Sequence, residues 1–287
     1  MDRIRCSNIT QLACAPYKLL RGLECVEYQE HSPTENAALL ASGKLDAALI
    51  PIVEYLQIEN HQQEELLALD FGMGTRQRTD SMMLYSDTAP KDLKRVYVYQ
   101  CSSSSTTLLR LLLGEKWRVF PEIVKIDSLD LDLPLRNGDG MLSLHELPGS
   151  IRRDYLVAHD LGTLWYRHTK TPFVFLIWAV RKSLVGTTEF GLFNKELFRI
   201  AQVSRQLHEQ YANWYNVDTQ EIAEFVGENR RFYLDAFLKD GLKEVVNRGL
   251  SAGLIDDQGV NGLVKSNASK KLFSDVHGLS QFGKVDE

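Results

Sequence analysis

An uninterrupted apolar run at residues 173–180, FVFLIWAV, constrains the fold more than any other feature of this sequence. The run is far shorter than the roughly 20 residues that a helix needs to cross a bilayer. It is also short for an independent helix, and its aromatic and β-branched residues favour a strand. A strand that is apolar on both faces must be covered on both faces, which is typical of sheets in α/β proteins.

Strand-like and helix-like stretches alternate through the first two-thirds of the chain, and this alternation predicts parallel sheets with right-handed crossovers. Beyond residue 182 the pattern changes to helices, which we predict at residues 192–207, 219–226 and 229–250. Further helices are predicted at residues 16–23 and 106–113. The predicted strands are residues 3–9, 46–51, 81–86, 96–99, 122–126, 140–145 and 154–160.

The clearest helix signal is the segment SPTENAALLASG at residues 32–43. Ser32 is a good N-cap, Pro33 suits the first helical position, and Glu35 completes a capping box. Gly43 suits the point where the chain leaves the helix. These features predict a helix with defined ends, followed by a short buried strand that Pro51 ends.

The charge balance and the cysteines exclude several classes of function. The chain has 33 Lys and Arg against 38 Asp and Glu, a net charge of -5, so nucleic acid is not an expected partner. The first residues, MDRIRCSNIT, lack the apolar core of a secretory signal, and we expect a cytoplasmic protein without membrane attachment. The four cysteines form no CxxC pair, so we expect reduced thiols and no metal site.

Three stretches resemble the chorismate dehydratase family of the futalosine route to menaquinone. They are PTENAALLASGKLDAALIPIVEYL at residues 33–56, SSSSTTLLRLLL at residues 102–113, and DLGTLWYRHTKTPFVFLIWAVRK at residues 160–182. The third stretch is the most specific, because many two-lobed binding proteins carry a segment like the first. The order and spacing of the three stretches agree with the family along most of the chain.

The resemblance implies the type 2 periplasmic-binding-protein fold, in which two α/β lobes are joined by a two-stranded hinge and the ligand lies between them. On this chain, lobe one would comprise residues 1–86 and 178–287, which include the helical C-terminal tail. Lobe two would be the inserted residues 88–176. The hinge strands would lie near residues 81–86 and 173–180.

The resemblance also implies a hydro-lyase that converts chorismate to 3-[(1-carboxyvinyl)oxy]benzoate by an aromatising elimination of water. No metal or organic cofactor is implied, and the partner is a small anionic substrate. The chain would act as a monomer or a homodimer. Because the ring becomes aromatic, the driving force lies in the substrate, and the protein must bind, exclude water and place a proton acceptor and donor.

The candidate binding residues lie at ends of predicted strands. A polar run between a strand and a helix N-terminus makes an anion cradle, in which at least one residue would contact the ligand; its members are Ser102, Ser103, Ser104, Ser105 and Thr106. The family carries a polar Ser/Asn pair that faces the cleft after its first strand, and Asn8 at this point of the chain is a candidate catalytic residue. Ser81 precedes a hinge strand, and Arg76 could meet a carboxylate bidentately, with a solvated surface arginine as the alternative.

His145 and Glu146 depart from the dehydratase pattern, which usually has a Gly-Asp-Glu type of sequence at this point. A His-Glu pair is instead a feature of the related 1,4-dihydroxy-6-naphthoate synthase of the same route. A histidine at a strand end could serve as a general base near neutral pH, and Glu146 could orient it or act as the acid/base itself. The naphthoate synthase therefore stays an alternative, as does a non-catalytic small-anion-binding protein, since fold does not determine function.

The substitution His145→Ala separates these alternatives. If the chain is a naphthoate synthase, the variant should lose turnover while ligand binding remains, because the proton acceptor is gone. If the chain is a dehydratase, the variant can keep a near-normal rate of turnover without His145. Steady-state turnover and ligand binding of the purified variant, measured side by side with the unmodified chain, distinguish the two outcomes.

Overall fold

The computed structural model of the chain describes residues 3–58, 65–79, 82–99, 101–126, 137–144 and 157–255. Its strands are β1 Ile4–Ile9, β2 Val26–His31, β3 Ala47–Pro51, β4 Leu66–Thr75, β5 Met83–Ser86, β6 Arg95–Tyr99, β7 Glu122–Ile126, β8 Asp139–Ser143, β9 Val157–Asp160, β10 Phe173–Arg181 and β11 Arg230–Tyr233. Its α-helices are α1 Pro33–Ala41, α2 Ile52–Gln57, α3 Ser103–Leu112, α4 Leu161–Thr169, α5 Thr188–Val203, α6 His208–Tyr215, α7 Thr219–Val226 and α8 Ala236–Ser251. A 3₁₀ segment, Leu12–Gly22, follows β1.

The strands form two sheets. The first has the order β11-β4-β10-β3-β1-β2, and the second has the order β7-β6-β8-β5-β9. The predicted parallel pairing is present where β1 meets β2 and β3, and where β6 meets β7 and β8. It is wrong for β10, which runs antiparallel to β3 and β4, and for β5, which runs antiparallel to β8 and β9.

Strand β10 is buried on both faces, as its apolar sequence predicts. Phe173 through Val180 are all buried. One face packs with Trp178 against Tyr17 and Phe193, in edge-to-face contacts with ring centroids 5.4 and 5.5 Å apart. The other face joins the apolar cluster that also contains residues of α8, such as Leu238. Helices therefore cover the first sheet on both sides.

The helix α1 begins as the capping signal predicts. The side chain of Ser32 accepts a hydrogen bond from the backbone N–H of Glu35 at 3.3 Å, and Pro33 occupies the first helical position. Gly43 has a φ of 76°, in the left-handed region that glycine enters without steric penalty. Both ends of this helix are thus determined by local sequence.

The segment predicted as one helix over residues 229–250 is divided in two. Its first part is β11, which pairs antiparallel with β4 at the edge of the first sheet. Helix α8 begins only after Asp235, whose carboxylate accepts a hydrogen bond from the N–H of Leu238 at 2.9 Å. An N-cap residue has extended backbone geometry, so the residues before Asp235 are free to continue as a strand.

The chain passes from the first sheet to the second between Thr75 and Met83, and returns between Asp160 and Phe173. The side chain of Asp160 joins these two crossings, because its Oδ2 accepts hydrogen bonds from the backbone N–H and the hydroxyl of Thr79 at 3.0 and 2.6 Å. Strand β5, which was expected in lobe one, pairs in the second sheet. The lobe boundaries themselves stay a prediction. Within the described ranges, no helix is long and apolar enough to cross a membrane.

The hydroxyl of Tyr17 links the 3₁₀ segment to β4, since it donates to the carbonyl of Gly72 at 2.6 Å in the fully buried core. We expect Tyr17→Phe to lower the free energy of unfolding by about 1–2 kcal/mol, because a buried acceptor loses its donor. Tyr211 supplies a matched control, because its buried hydroxyl has no partner among the described residues. Tyr211→Phe should change stability by less than about 0.5 kcal/mol or raise it. Urea unfolding of both variants measures the difference. Equal losses of stability in the two variants would contradict a stabilising role for the hydrogen bond of Tyr17.

Candidate functional site

A pocket lies where the ends of the two sheets meet. Its empty space is about 470 Å³, counting the part that is open to solvent. Its walls come from the segment after β1, the start of α1, the start of α3 and the middle of β10. The described residues that line it are Gln11, Ala13, Pro33, Met73, Met82, Ser102, Ser105, Leu144, Phe175, Leu176, Phe225 and Arg230.

The position of the pocket follows from the topology of the first sheet. The chain runs from β1 to β2 on one side of β1 and then returns to β3 on the other side. Open α/β sheets bind ligands outside the carboxyl ends of their strands at such a reversal. Residues after β1, including Gln11, and the first residue of α1, Pro33, line the pocket at this reversal.

Most of the pocket wall is apolar. Phe175 and Leu176 project from β10, and Met73 comes from the neighbouring β4. Phe225 from α7 and Leu144 after β8 add to this surface. A wall of this composition suits a carbon ring, and it removes water from whatever it covers.

Arg230 is the one cation among the described residues of the pocket wall. It is the first residue of β11 and only 2% exposed. Its Nε–H donates to the carbonyl of Phe225 at 3.1 Å, and its guanidinium carbon lies 5.4 Å from the ring centroid of Phe175. A planar guanidinium is the side chain best suited to bind a carboxylate in a partly dry site. Arg230 was not among the sequence candidates, because residues 229–250 were predicted to be one helix.

Two members of the serine cradle line the pocket. Ser102 is the N-cap of α3, where its Oγ accepts a hydrogen bond from the N–H of Ser105 at 3.3 Å. The hydroxyls of Ser102 and Ser105 lie 3.2 Å apart, and both residues line the pocket. Each hydroxyl is a donor and an acceptor, so this wall can bind either a hydroxyl or an anion.

The other three members of the cradle make contacts within the protein. The N–H of Ser103 donates to Oε1 of Glu54 at 3.2 Å. The Oγ of Ser104 accepts from the N–H of Val53, also at 3.2 Å. The hydroxyl of Thr106 donates to the carbonyl of Ser102 at 3.1 Å. Their contact with a ligand therefore stays a prediction.

Asn8 lies at the end of β1, as expected, but its side chain faces the interior. It is fully buried, and its Nδ2 donates to the carbonyl of Cys14 and to the hydroxyl of Tyr28, both at 3.1 Å. Its backbone carbonyl accepts from Asn36 at 3.0 Å. The described lining of the pocket does not include Asn8, so its catalytic role stays a prediction.

Four sequence candidates remain, namely Arg76, Ser81, His145 and Glu146. Arg76 forms an ion pair with Asp235 at 3.0 Å, and half of its side chain is exposed, which agrees with the surface alternative. Ser81, His145 and Glu146 lie outside the described residues.

The cysteine thiols are poor nucleophiles. All four are free, and burial raises the pKa of Cys14 to about 12, with the charge of nearby Arg230 opposing part of this shift. Burial also raises the pKa values of Cys6, Cys25 and Cys101. Since the thiolate is the reactive form, these side chains stay protonated and unreactive at neutral pH. In the described part of the chain, no group of three or more His, Cys, Asp or Glu could hold a metal ion.

Comparison with known sequences identifies relatives. The model of a family described by the words menaquinone biosynthesis matches residues 3–249. The chorismate dehydratase of Thermus thermophilus is 31% identical over 164 residues, which make up 52% of this chain and 59% of that protein. The alignment with this relative thus spans about three-fifths of its length.

Comparison with solved structures identifies the fold. A Candida albicans protein, described as having the generic periplasmic binding protein fold, matches with a TM-score of 0.63 at 12% identity, over 91% of this chain and 94% of that one. The alkanesulfonate-binding protein of Xanthomonas axonopodis pv. citri, bound to MOPS, matches with a TM-score of 0.57 at 11% identity, over 90% and 96% of the two chains. The expected periplasmic-binding-protein-like fold is confirmed.

The substitution Arg230→Met tests whether the buried guanidinium binds anions. We expect the affinity for benzoate, used as a probe, to fall about tenfold or more, because a hydrogen bond to a charged group contributes about 1.5–3 kcal/mol. Arg231→Met is the matched control, because successive side chains of a strand point to opposite faces. Calorimetric titration of both variants measures the effect. If the two variants bind benzoate with equal affinity, the guanidinium of Arg230 does not bind the anion.

Proposed function

The chain belongs to the menaquinone biosynthesis family, and on this premise we propose that it dehydrates chorismate to 3-[(1-carboxyvinyl)oxy]benzoate. The proposal makes it a hydro-lyase that acts in the cytoplasm on a small anionic substrate. The similarity to the Thermus thermophilus chorismate dehydratase supports this reaction. The two-lobed division, with residues 88–176 inserted into the remainder, is part of the same proposal.

The observation that carries the proposal is the pocket between the ends of the two sheets. Chorismate is a six-membered ring with two carboxylates, a hydroxyl and an ether. The pocket offers an apolar wall for the ring, with Phe175 and Phe225, and the guanidinium of Arg230 for a carboxylate. The hydroxyls of Ser102 and Ser105 supply hydrogen bonds on the α3 side.

The reaction requires the protein mainly to position the substrate and to accept and donate a proton. A proton leaves one saturated ring carbon, the C–H electrons form the last ring double bond, and hydroxide leaves the adjacent carbon to become water. Enclosure of the ring excludes bulk water and strengthens each polar contact. Binding of the substrate carboxylate by Arg230 would orient the ring so that both reacting carbons face fixed groups. The acid–base roles of His145, Glu146 and Asn8 stay sequence-based predictions.

The fold itself supports an anionic ligand. The Xanthomonas relative is an alkanesulfonate-binding protein bound to MOPS, which carries a sulfonate. The sequence identity between the two chains is low, so the comparison supports only the idea that a cleft of this fold can bind an oxyanion. A carboxylate in the same cleft is chemically similar to a sulfonate, because both are oxyanions bound by hydrogen-bond donors.

The proposal is tested by incubating the purified chain with chorismate and following products by chromatography with mass detection. We expect a product lighter by one water, formed by the native but not the heat-denatured chain. Arg230→Met should lower kcat/KM about tenfold or more, while Arg231→Met should stay within about twofold of the unmodified chain.

Other outcomes select the alternatives. Unchanged chorismate together with conversion of the cyclic futalosine intermediate would identify a naphthoate synthase. Binding of either compound without conversion would identify a small-anion-binding protein.

A further inference from the structure

Glu54 lies at the junction between the first turns of two helices. It belongs to the first turn of α2, directly after β3, and is only 8% exposed. Its Oε1 accepts a hydrogen bond from the backbone N–H of Ser103, in the first turn of α3, at 3.2 Å. A second bond runs from the N–H of Val53 to the Oγ of Ser104 at 3.2 Å. The helix that follows a strand of the first sheet is thus bonded to the helix that follows a strand of the second.

This contact places a negative charge at the N-terminus of α3. The first N–H groups of a helix and its dipole favour an anion there, and a ligand carboxylate would ordinarily be the candidate. Here the protein supplies the anion itself, one residue away from Ser102, which lines the pocket. A ligand carboxylate placed against Ser102 and Ser105 would therefore lie beside a buried like charge, which is unfavourable in a partly dry site.

The second carboxylate oxygen of Glu54 points to the same preference. Oε2 is buried and has no hydrogen-bond partner among the described residues. Buried acceptors are nearly always satisfied, and an unsatisfied charged one is especially unfavourable. Glu54 is not among the described residues that line the pocket, so its carboxylate acts on this end of the pocket through the start of α3, where it favours a hydrogen-bond donor over a second anion.

The wall of the pocket at β11 carries a positive charge, that of Arg230. Arg230 is 2% exposed and contacts Phe175, which lies on β10 between β3 and β4. The pocket therefore has a cationic wall at β11 and a wall at α3 whose helix terminus is already neutralised.

We propose that Glu54 is a specificity-determining residue that reserves the α3 end of the pocket for a hydroxyl-bearing part of the substrate and directs a carboxylate to Arg230. This inference rests on the proposed function, because that function supplies the class of ligand, a ring with a carboxylate and a hydroxyl. It differs from the sequence-based expectation, in which the whole segment from Ser102 to Thr106 was an anion cradle.

Two small aromatic probes test the inference. Both probes are benzoates, and they differ only in the meta substituent, which is a hydroxyl in 3-hydroxybenzoate and a second carboxylate in isophthalate. We expect the unmodified chain to bind 3-hydroxybenzoate about tenfold more tightly than isophthalate in calorimetric titrations. In Glu54→Gln the buried charge is gone but the acceptor for Ser103 remains. Isophthalate should then bind about tenfold more tightly, and 3-hydroxybenzoate should change by less than about twofold.

Glu35→Gln is the matched control. It removes the same charge from the first turn of α1, beside the pocket residue Pro33, but from a side chain that is 54% exposed. A solvated charge interacts weakly with a ligand, so the ratio of the two affinities should stay within about twofold of that of the unmodified chain. An equal change in Glu35→Gln and Glu54→Gln would show a general charge effect and overturn the inference.

Ser103→Pro provides a second variant in case Glu54→Gln folds poorly. Proline is tolerated at the first helical position, and Ser102 has the extended backbone that precedes proline, with ψ of 166°. The substitution removes the N–H that Glu54 accepts and leaves the charge less neutralised, so discrimination against isophthalate should hold or widen. A gain in isophthalate affinity in this variant would contradict the inference.

The outcomes also separate this inference from the proposed function. If Glu54→Gln binds 3-hydroxybenzoate normally and its affinity for isophthalate is unchanged, Glu54 does not set specificity, and the dehydratase proposal stands. If the unmodified chain binds neither probe and leaves chorismate unchanged, the proposed function is wrong and this inference is overturned with it.

Discussion

The burial of β10 on both faces is the constraint on which the rest of the structure depends. This strand runs antiparallel between β3 and β4, and it therefore joins the two halves of the first sheet. One of its faces packs Trp178 against Tyr17 and α5, and the other packs against α8. Because eight consecutive apolar residues would be costly to expose, helices must cover both sides of the sheet. The same strand presents Phe175 and Leu176 to the pocket, so the core and the site share one element.

The electrostatics of the site come from residues that are far apart in sequence. Arg230 reaches the pocket because β11 is added to the edge of the first sheet beside β4. Glu54 reaches the first turn of α3 because α2 and α3 begin near one another, although they follow strands of different sheets. A buried guanidinium and a buried carboxylate need hydrogen bonds to replace lost hydration, and both Arg230 and Glu54 have such bonds. The pocket consequently has two ends of different chemical preference.

Local signals predicted elements well where the cause is local. The Ser32 cap, the proline after it and the glycine with positive φ define α1 without reference to the remainder of the chain. The sequence predictions missed β2, and they were wrong about β11 and about the direction of β10, because strand pairing decides all three. Strand β2, with the sequence VEYQEH, and strand β11 have little apolar character, and each becomes a strand because an edge of the first sheet supplies its hydrogen bonds. For the same reason the antiparallel direction of β10 was not predictable from its own residues.

The sequence by itself determined that this chain forms an α/β protein of the periplasmic-binding-protein type, because buried strands, caps and family-like segments are properties of contiguous residues. It also located Ser102 and Ser105 at a helix start that lines the pocket. Only the tertiary structure decided that Arg230 is the cation of the pocket, that Asn8 turns inward and that Glu54 neutralises the start of α3. The contact between Glu54 and Ser103, for example, joins residues 49 positions apart, and such contacts exist only once the two sheets are folded and packed together.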